Sequence, residues 1–229
     1  MSIGAKIKSS IKILLKKAFP FKVQTNVNNK WIGNNYGGFY IAPDFVTKDS
    51  IVYSFGIGED ITFDRELIAL TGCQIHGFDP TPKSINWLKS ANPPENFMFH
   101  EYGIDSKNGD VTFFLPENPE HVSGTAVQTN DVRTNSISVP MKNLETICNE
   151  LGHNKIDVLK IDIEGSEYSV IPNILSSNIE IKQLLIEFHD RFFEDGFKKN
   201  SDTIKMLNDS GYQIFAVSDT LMEVSFIKL

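Results

Sequence analysis

The chain has 229 residues, of which 41% are hydrophobic and 22% charged, with a net charge of −7. This composition is typical of a globular domain with at most a short appendage, and it excludes disordered and collagen-like proteins. No apolar run approaches the ~20 residues that a transmembrane helix needs. Two cysteines are too few for a disulfide framework or a four-thiolate zinc site, so we expect a cytoplasmic protein.

Residues 1–29 differ from the rest, and we assign them to an extension that precedes a single domain over residues 30–229. Residues 3–18 repeat apolar side chains at helical spacing, and the first 43 residues contain seven lysines and no acid. The pattern predicts a basic amphipathic helix that ends before Pro20. Two roles are open for it. It lies at the surface of an anionic membrane, or it packs on its own domain or on a second subunit of a homo-oligomer.

The remainder of the chain is acidic. After the first 43 residues come 15 basic and 29 acidic residues, which leave a net charge of −14. Nucleic-acid binding depends on a basic surface that displaces counterions from phosphates. We therefore expect no nucleic-acid partner.

From residue 50 onward, short β-branched or aromatic runs alternate with segments of helical period. The predicted strands cover residues 51–55, 74–78, 97–102, 111–115, 136–139, 156–161, 184–188, 212–217 and 222–227. The predicted helices cover residues 63–70, 82–90, 144–151 and 202–210. This alternation predicts an α/β fold, a mostly parallel sheet with helices on both faces. The last two strands are joined too closely for a crossover helix, so one edge should be antiparallel.

A glycine turn follows the first of these strands. Gly56 and Gly58 let the chain turn sharply and let a ligand approach the backbone. Asp79 ends the second strand and is placed to accept hydrogen bonds from a ribose diol. A dinucleotide fingerprint would have a third glycine where this chain has Ile61, and the two acids after Gly58 would repel a pyrophosphate. S-adenosylmethionine has a ribose and two positive charges but no phosphate, so it suits this turn.

Three segments resemble the FkbM-type S-adenosylmethionine-dependent methyltransferases: residues 52–60 (VYSFGIGED), 78–81 (FDPT) and 159–167 (LKIDIEGSE). The resemblance covers about residues 30–228. It implies a class I methyltransferase fold, Rossmann-like, whose seven-stranded sheet ends in an antiparallel hairpin. It also implies methylation of a hydroxyl oxygen, and the expected acceptor is a small molecule or carbohydrate, as in polysaccharide biosynthesis. The alternatives are a nitrogen or carboxylate acceptor, or a binding module of the same fold without turnover.

The predicted cofactor site combines the glycine turn with later strand ends. Its members are Ser54, Phe55, Gly56, Ile57, Gly58, Glu59, Asp60, Asp79, Pro80, Thr81, Gly103, Ile104 and Asp162. Gly103 and Ile104 are expected beside the adenine, which needs a flat apolar contact and backbone hydrogen bonds. Many class I enzymes carry an acid at the position of Ser54. The partner of the methionine ammonium is therefore open, with Glu59, Asp60 or Asp162 as the alternatives.

Methyl transfer to a hydroxyl needs a base or a metal to take the hydroxyl proton. Asp162 and Glu164 share a face if their strand persists that far, and Glu187 and His189 stand in the same relation near the next strand end. These four are the predicted catalytic residues. Three interpretations are open. The first is a magnesium or manganese ion on Asp162, Glu187 and His189. The second is a metal-free base, either His189 oriented by a carboxylate or a glutamate, and the third is a purely structural set of caps and ion pairs.

Several other residues have lesser predicted roles. Ser166 and Glu167 are expected to begin a helix. His76 and His153 are expected to be structural, whereas His100 lies near the expected adenine position. An acceptor pocket or lid is predicted from aromatic side chains and a polar loop. These are Trp31, Tyr36, Tyr40 and residues 121–125.

Overall fold

The computed structural model describes residues 13–15, 18–114 and 136–229. The strands are β1 (Lys30–Ile32), β2 (Phe39–Ile41), β3 (Ile51–Phe55), β4 (Gln74–Phe78), β5 (Phe97–His100), β6 (Gly103–Ile104), β7 (Gly109–Phe114), β8 (Ser136–Lys142), β9 (Lys155–Ile161), β10 (Glu180–Glu187), β11 (Tyr212–Val217) and β12 (Glu223–Lys228). The helices are α1 (Thr62–Thr71), α2 (Pro82–Ala91), α3 (Leu144–Leu151), α4 (Glu167–Ser176) and α5 (Gly196–Asp209). Within these ranges, no helix is long and apolar enough to cross a bilayer.

The central sheet has seven strands in the order β5-β4-β3-β9-β10-β12-β11. Neighbouring strands run parallel except where β12 lies antiparallel between β10 and β11. The strand order reverses between β3 and β9, where the carboxyl ends of the strands form a crevice suited to a ligand. This arrangement confirms the predicted class I methyltransferase fold and its antiparallel final hairpin.

Helices cover both faces of this sheet. On one face, α3, α4 and α5 bury a core that contains Tyr53, Phe55 and Leu159. On the other, α1, α2 and the β1–β2 hairpin bury Val52 and Val158. Alternate residues of each strand therefore enter opposite cores, as the twofold period of a strand requires. Cys73 and Cys148 are free and buried.

A small second sheet, in the order β6-β8-β7, stands beside the carboxyl end of β4. The strand predicted over residues 97–102 ends earlier, at His100, and the next strand, β6, pairs with β8 instead of joining the central sheet. A Cβ on Gly103 would lie 2.7 Å from the sulfur of Met141, so a larger residue there would require the Met141 side chain to shift. The small sheet forms one wall of the crevice.

Part of the predicted extension packs on the domain. The backbone N–H of Gln24 donates to the carbonyl of Ile214 at 2.7 Å, and the Gln24 side chain accepts from the Ile214 N–H. Phe21 contacts the ring of Phe188 with centroids 5.3 Å apart. The segment thus covers edge strand β11, whose backbone groups would otherwise be free to pair with another chain. Most of the predicted basic helix, and all of residues 121–125, lie outside the described residues.

Three histidines share one face of the sheet with Tyr53. His76 Nδ1 lies 3.0 Å from His100 Nε2, and the Tyr53 hydroxyl lies 2.8 Å from His153 Nδ1. Burial, aided by His100 and His153, lowers the pKa of His76 to about 4, and burial also lowers the pKa values of the other two. These contacts fit the structural roles predicted for His76 and His153, and they place His100 in the same cluster.

Acid should therefore destabilise the fold through this cluster. As the pH falls from about 6.5 to about 4, the unfolded chain gains protons that folded His76 excludes, so stability is lost over that window. In urea denaturation, wild type should lose roughly 2 kcal/mol more than His76→Phe between about pH 7 and about pH 4.5. An equal loss in the two proteins would contradict this role for His76.

Candidate active site

A cavity of about 470 Å³ opens at the carboxyl ends of β3, β4 and β9. Most residues of the predicted cofactor site line it. They are Phe55, Gly56, Ile57, Gly58, Glu59, Asp60, Asp79, Pro80, Thr81, Gly103, Ile104 and Asp162. The sequence therefore located the crevice and most of its walls.

The glycine turn brings the ends of β3 and β9 together. A Cβ on Gly56 would lie only 1.7 Å from the carbonyl oxygen of Asp162, and the φ of Gly56 is +81°. The Asp162 N–H in turn donates to the carbonyl of Phe55 at 3.1 Å. Only glycine permits both this φ and this approach. The turn thus places Asp162 at the edge of the predicted cofactor site.

Asp79 links the segments that follow β3 and β4. Its Oδ2 accepts a hydrogen bond from the Gly58 N–H at 2.9 Å, and its Oδ1 accepts from the Thr81 N–H at 2.9 Å and the Thr81 hydroxyl at 2.6 Å. Burial raises the pKa of Asp79, while these donors act in the opposite direction. A carboxylate has about four acceptor positions, so Asp79 retains capacity for a ribose hydroxyl.

The wall of the cavity beyond Asp79 is apolar. Ile104 is buried there, and Pro80 packs near Gly103. Phe113 and Met141, from the small sheet, complete this wall. Sequence reasoning missed these last two residues because the small sheet's approach to the crevice is a tertiary contact. An apolar wall of this kind suits an adenine ring.

The residues expected near the methionine ammonium have other contacts. Ser54 is fully buried and is not part of the cavity wall, which corrects its predicted place in the cofactor site. Its hydroxyl lies near Asp64, on the face of the sheet that α1 covers. Glu59 pairs with Lys83 at 3.4 Å. Asp60 accepts hydrogen bonds from the Asn34 amide at 2.7 Å and the Thr62 N–H at 2.8 Å.

The four predicted catalytic residues meet at one point, around the imidazole of His189. Its Nε2 lies 3.4 Å from Glu164, 3.4 Å from Glu187 and 3.8 Å from Asp162. The side chain of His189 is 1% exposed. The strand does not persist to Glu164, as one prediction required, because β9 ends at Ile161. A turn with Glu164 at φ +51° brings its carboxylate back instead, a strained conformation that is typical of functional sites.

Glu167 is a fifth member of this cluster that the sequence assigned to helix capping. It is fully buried, and its Oε1 lies 2.8 Å from His189 Nδ1 and accepts from the Gly165 N–H at 3.1 Å. The Nδ1–H therefore donates to Glu167 and leaves Nε2 facing the other acids. Ser166 makes no side-chain cap to α4. The buried carboxylate could be recognised only from its contact across the fold.

The charges of the cluster perturb one another strongly. Burial by itself lowers the pKa of His189, but Glu167, with Asp162 and Glu164, outweighs it and raises the pKa to about 10. Burial and the negative charge of Asp162 raise the pKa of Glu187 to about 8. Burial likewise raises the pKa of Asp162. Several carboxylates crowded around one imidazole favour an additional positive charge.

A metal ion could supply this positive charge. Its ligands could be Asp162, Glu164 and His189, because one ligand atom of each lies within 4.8 Å of the others. This set differs from the predicted set of Asp162, Glu187 and His189. The turn after β9 brings Glu164 close enough to act as a ligand. Glu187 lies at the end of β10, two residues before His189. Glu167 on Nδ1 matches the carboxylate that commonly orients a metal-binding histidine.

The β1–β2 hairpin carries aromatic residues beside this cluster. Tyr36 lines the cavity although its side chain is 77% exposed. The nearby acids Asp162 and Glu164 add to burial in raising its pKa. Trp31 and Tyr40 pack edge to face at 5.1 Å, away from the cavity wall. Of the three predicted aromatic residues, Tyr36 alone borders the described part of the cavity.

The family model described as Methyltransferase FkbM domain matches residues 44–214. The chain belongs to the FkbM methyltransferase family. It is 32% identical over 153 residues to the "Probable methyltransferase-like protein 24" of Homo sapiens, a match that covers 66% of this chain and 36% of that protein. It is 23% identical over 163 residues to the "2-O-methyltransferase NoeI" of Sinorhizobium fredii, covering 65% of this chain and 67% of that protein.

Among solved structures, the fibrillarin of Aeropyrum pernix in complex with S-adenosyl-L-methionine is 12% identical, with a TM-score of 0.46. The match covers 90% of this chain and 84% of that chain. The matched part of this FkbM methyltransferase chain spans about a third of the length of its human relative.

Replacing Glu167 by glutamine should lower the pKa of His189, because Glu167 is the strongest influence that raises it. In metal-free protein, the NMR titration of the His189 ring should move down by at least about one pH unit. Glu145→Gln, an exposed acid in the first turn of α3, serves as the matched control and should leave the titration unchanged. An unaltered His189 titration in Glu167→Gln would contradict the assigned contact.

Proposed function

We propose that this chain is an S-adenosylmethionine-dependent O-methyltransferase that acts on a hydroxyl of a carbohydrate. The observation that carries the proposal is one cavity wall shared by the glycine turn, Asp79 and two acids of the cluster around His189, Asp162 and Glu164. A nucleoside site and a group that can take up a proton thus stand side by side. Methyl transfer is an in-line displacement, so this arrangement supplies most of what the reaction requires.

Each part of the cofactor has a matching surface. The ribose fits Asp79 and the Gly58 turn, and the adenine fits the apolar wall of Ile104 and Gly103. The cofactor would supply the methyl group, and Asp162 is the acid that borders both the glycine turn and the cluster around His189. Acids near a sulfonium favour binding because they offset its positive charge.

The part of the cavity next to the acid cluster suits a substrate that presents a hydroxyl group. Acids and an imidazole beside the transferred methyl suit removal of a hydroxyl proton. Tyr36 offers an exposed aromatic face at the rim, on which a sugar ring can stack. The name of the rhizobial relative, a 2-O-methyltransferase, is consistent with an oxygen acceptor.

For activation of the hydroxyl, we favour a divalent cation over a metal-free histidine base. Without a cation, the surrounding carboxylates keep His189 protonated, so its imidazole has no free site for another proton. The ligands would be Asp162, Glu164 and His189. Two carboxylates with an imidazole suit manganese or another transition metal better than magnesium. A cation held there would lower the pKa of an acceptor hydroxyl. It would also offset the burial and the Asp162 charge that raise the pKa of Glu187 to about 8, which would leave Glu187 as the adjacent carboxylate able to take the proton.

Binding of the cofactor is tested by calorimetry with S-adenosylmethionine and S-adenosylhomocysteine. Wild type should bind both, and Asp79→Asn should bind roughly 10- to 100-fold more weakly, because a charged hydrogen bond to the ribose is lost. Asp110→Asn, an exposed substitution on β7, should match wild type. Binding of NAD but not of S-adenosylmethionine would overturn the proposal.

The cation is tested by titrating metal-free protein with manganese. Wild type should bind one ion, and Asp162→Asn and His189→Gln should lose that site. Glu180→Gln, at the exposed amino end of β10, should retain it. Methyl transfer to carbohydrate acceptors should fall by about 10²–10⁴-fold in Glu187→Gln, since its base is removed. Absence of manganese binding, with transfer indifferent to chelator, would favour a carboxylate base without metal.

A further inference from the structure

Asp64 is a buried acid whose contacts leave one oxygen unused. It lies in the first turn of α1, is 1% exposed, and still forms part of the cavity wall. Its Oδ1 has no hydrogen-bond partner among the described residues. An unsatisfied buried carboxylate oxygen is costly. Such a group at the wall of a ligand cavity indicates a cation that completes it.

The surroundings of Asp64 explain its position. Ser54 and Lys160 pair across β3 and β9, and both side chains enter the layer that α1 occupies. Burial raises the pKa of Asp64, while the charge of Lys160 and the nearby hydroxyl of Ser54 act in the opposite direction. The Ser54 hydroxyl makes no hydrogen bond of good geometry to Oδ1, so that oxygen stays open to a stronger donor. Lys160 also borders the cavity, and its Nζ donates to the carbonyl of Gly56 at 3.3 Å. The carboxyl group of Asp64 and the amine of Lys160 thus lie near each other behind the glycine turn.

The other acids of this region are already engaged. Glu59 pairs with Lys83, and Asp60 holds the β1–β2 hairpin through Asn34. Asp162 belongs to the cluster around His189. Asp64 is therefore the acid of the cavity wall that combines deep burial with an unused oxygen.

We infer that Asp64 binds the α-ammonium of the methionine part of the cofactor, in place of the strand-end acid that Ser54 replaces. This inference rests on the proposed function. Asp64 lies on the helix that follows β3 rather than at the end of that strand. Its carboxylate nevertheless reaches the same layer behind the glycine turn. Lys160, beside it, then faces the α-carboxylate. Together the two residues recognise a zwitterionic amino acid, and adenosine alone does not satisfy them.

Calorimetry with two ligands separates this contact from the rest of the site. S-adenosylhomocysteine carries the amino acid, whereas methylthioadenosine keeps the adenosine and sulfur without it. Asp64→Asn is isosteric and should weaken S-adenosylhomocysteine binding by about 10- to 100-fold, as expected for a lost charged hydrogen bond. Its affinity for methylthioadenosine should stay at the wild-type value. Asp49→Asn, an exposed acid paired with Lys48, is the matched control and should alter neither affinity.

A second measurement needs no variant. The analogue of S-adenosylhomocysteine that lacks the amino group should bind wild type as weakly as S-adenosylhomocysteine binds Asp64→Asn. Full affinity of the amine-free analogue, or of Asp64→Asn for S-adenosylhomocysteine, would overturn the inference and leave the proposed function standing. If wild type binds none of these nucleosides, the proposed function itself fails.

Discussion

The close approach of two strand ends underlies the whole site. Gly56 has no Cβ, and this lets the carbonyl of Asp162 lie where a side chain would otherwise stand. β3 and β9 can then end side by side at the reversal of strand order. One strand end carries the turn that approaches a nucleoside, and the other carries the acids of the cluster. Any larger residue would separate the two halves of the site.

Charge around His189 is the second constraint. Four carboxylates and one imidazole share a small, largely buried volume, and this costs stability unless the charges are compensated. Glu167 binds Nδ1 of the ring and fixes its orientation, so that Nε2 faces the other three acids. The same crowding that destabilises the empty cluster favours a cation or a proton there.

The hairpin and the small sheet give this FkbM methyltransferase chain its particular cavity. Asp60 and Glu66 hold the hairpin, the first through Asn34 and the second through the Gly33 N–H at 2.7 Å. This places Tyr36 over the acid cluster. The small sheet closes the opposite side with Phe113 and Met141. The common sheet therefore supplies the chemistry, and these two additions shape what can enter.

By itself, the sequence determined many of the elements, and it predicted which strand ends line the cavity. β3, β4, α3 and β11 begin and end where their local patterns predict, because strand and helix periods are local properties. The three-residue strands β1 and β2 were missed, since so short a run has no detectable period. The predicted start of α5 was wrong: the helix begins at Gly196 rather than at residue 202, because its polar first turns lack an apolar stripe.

Only the tertiary structure decided which acids act together. Glu167 and Asp64 look like ordinary acids in the first turn of a helix, a common and stabilising position. Glu167 is buried against His189, and Asp64 is buried behind the glycine turn. In both cases the burial is created by strands and helices that are far apart in the chain. Ser54 was placed in the cofactor site by its position in a motif, yet its side chain points into the layer below. A sequence specifies which charges exist, but burial and long-range contacts set which of them are left unpaired and able to react.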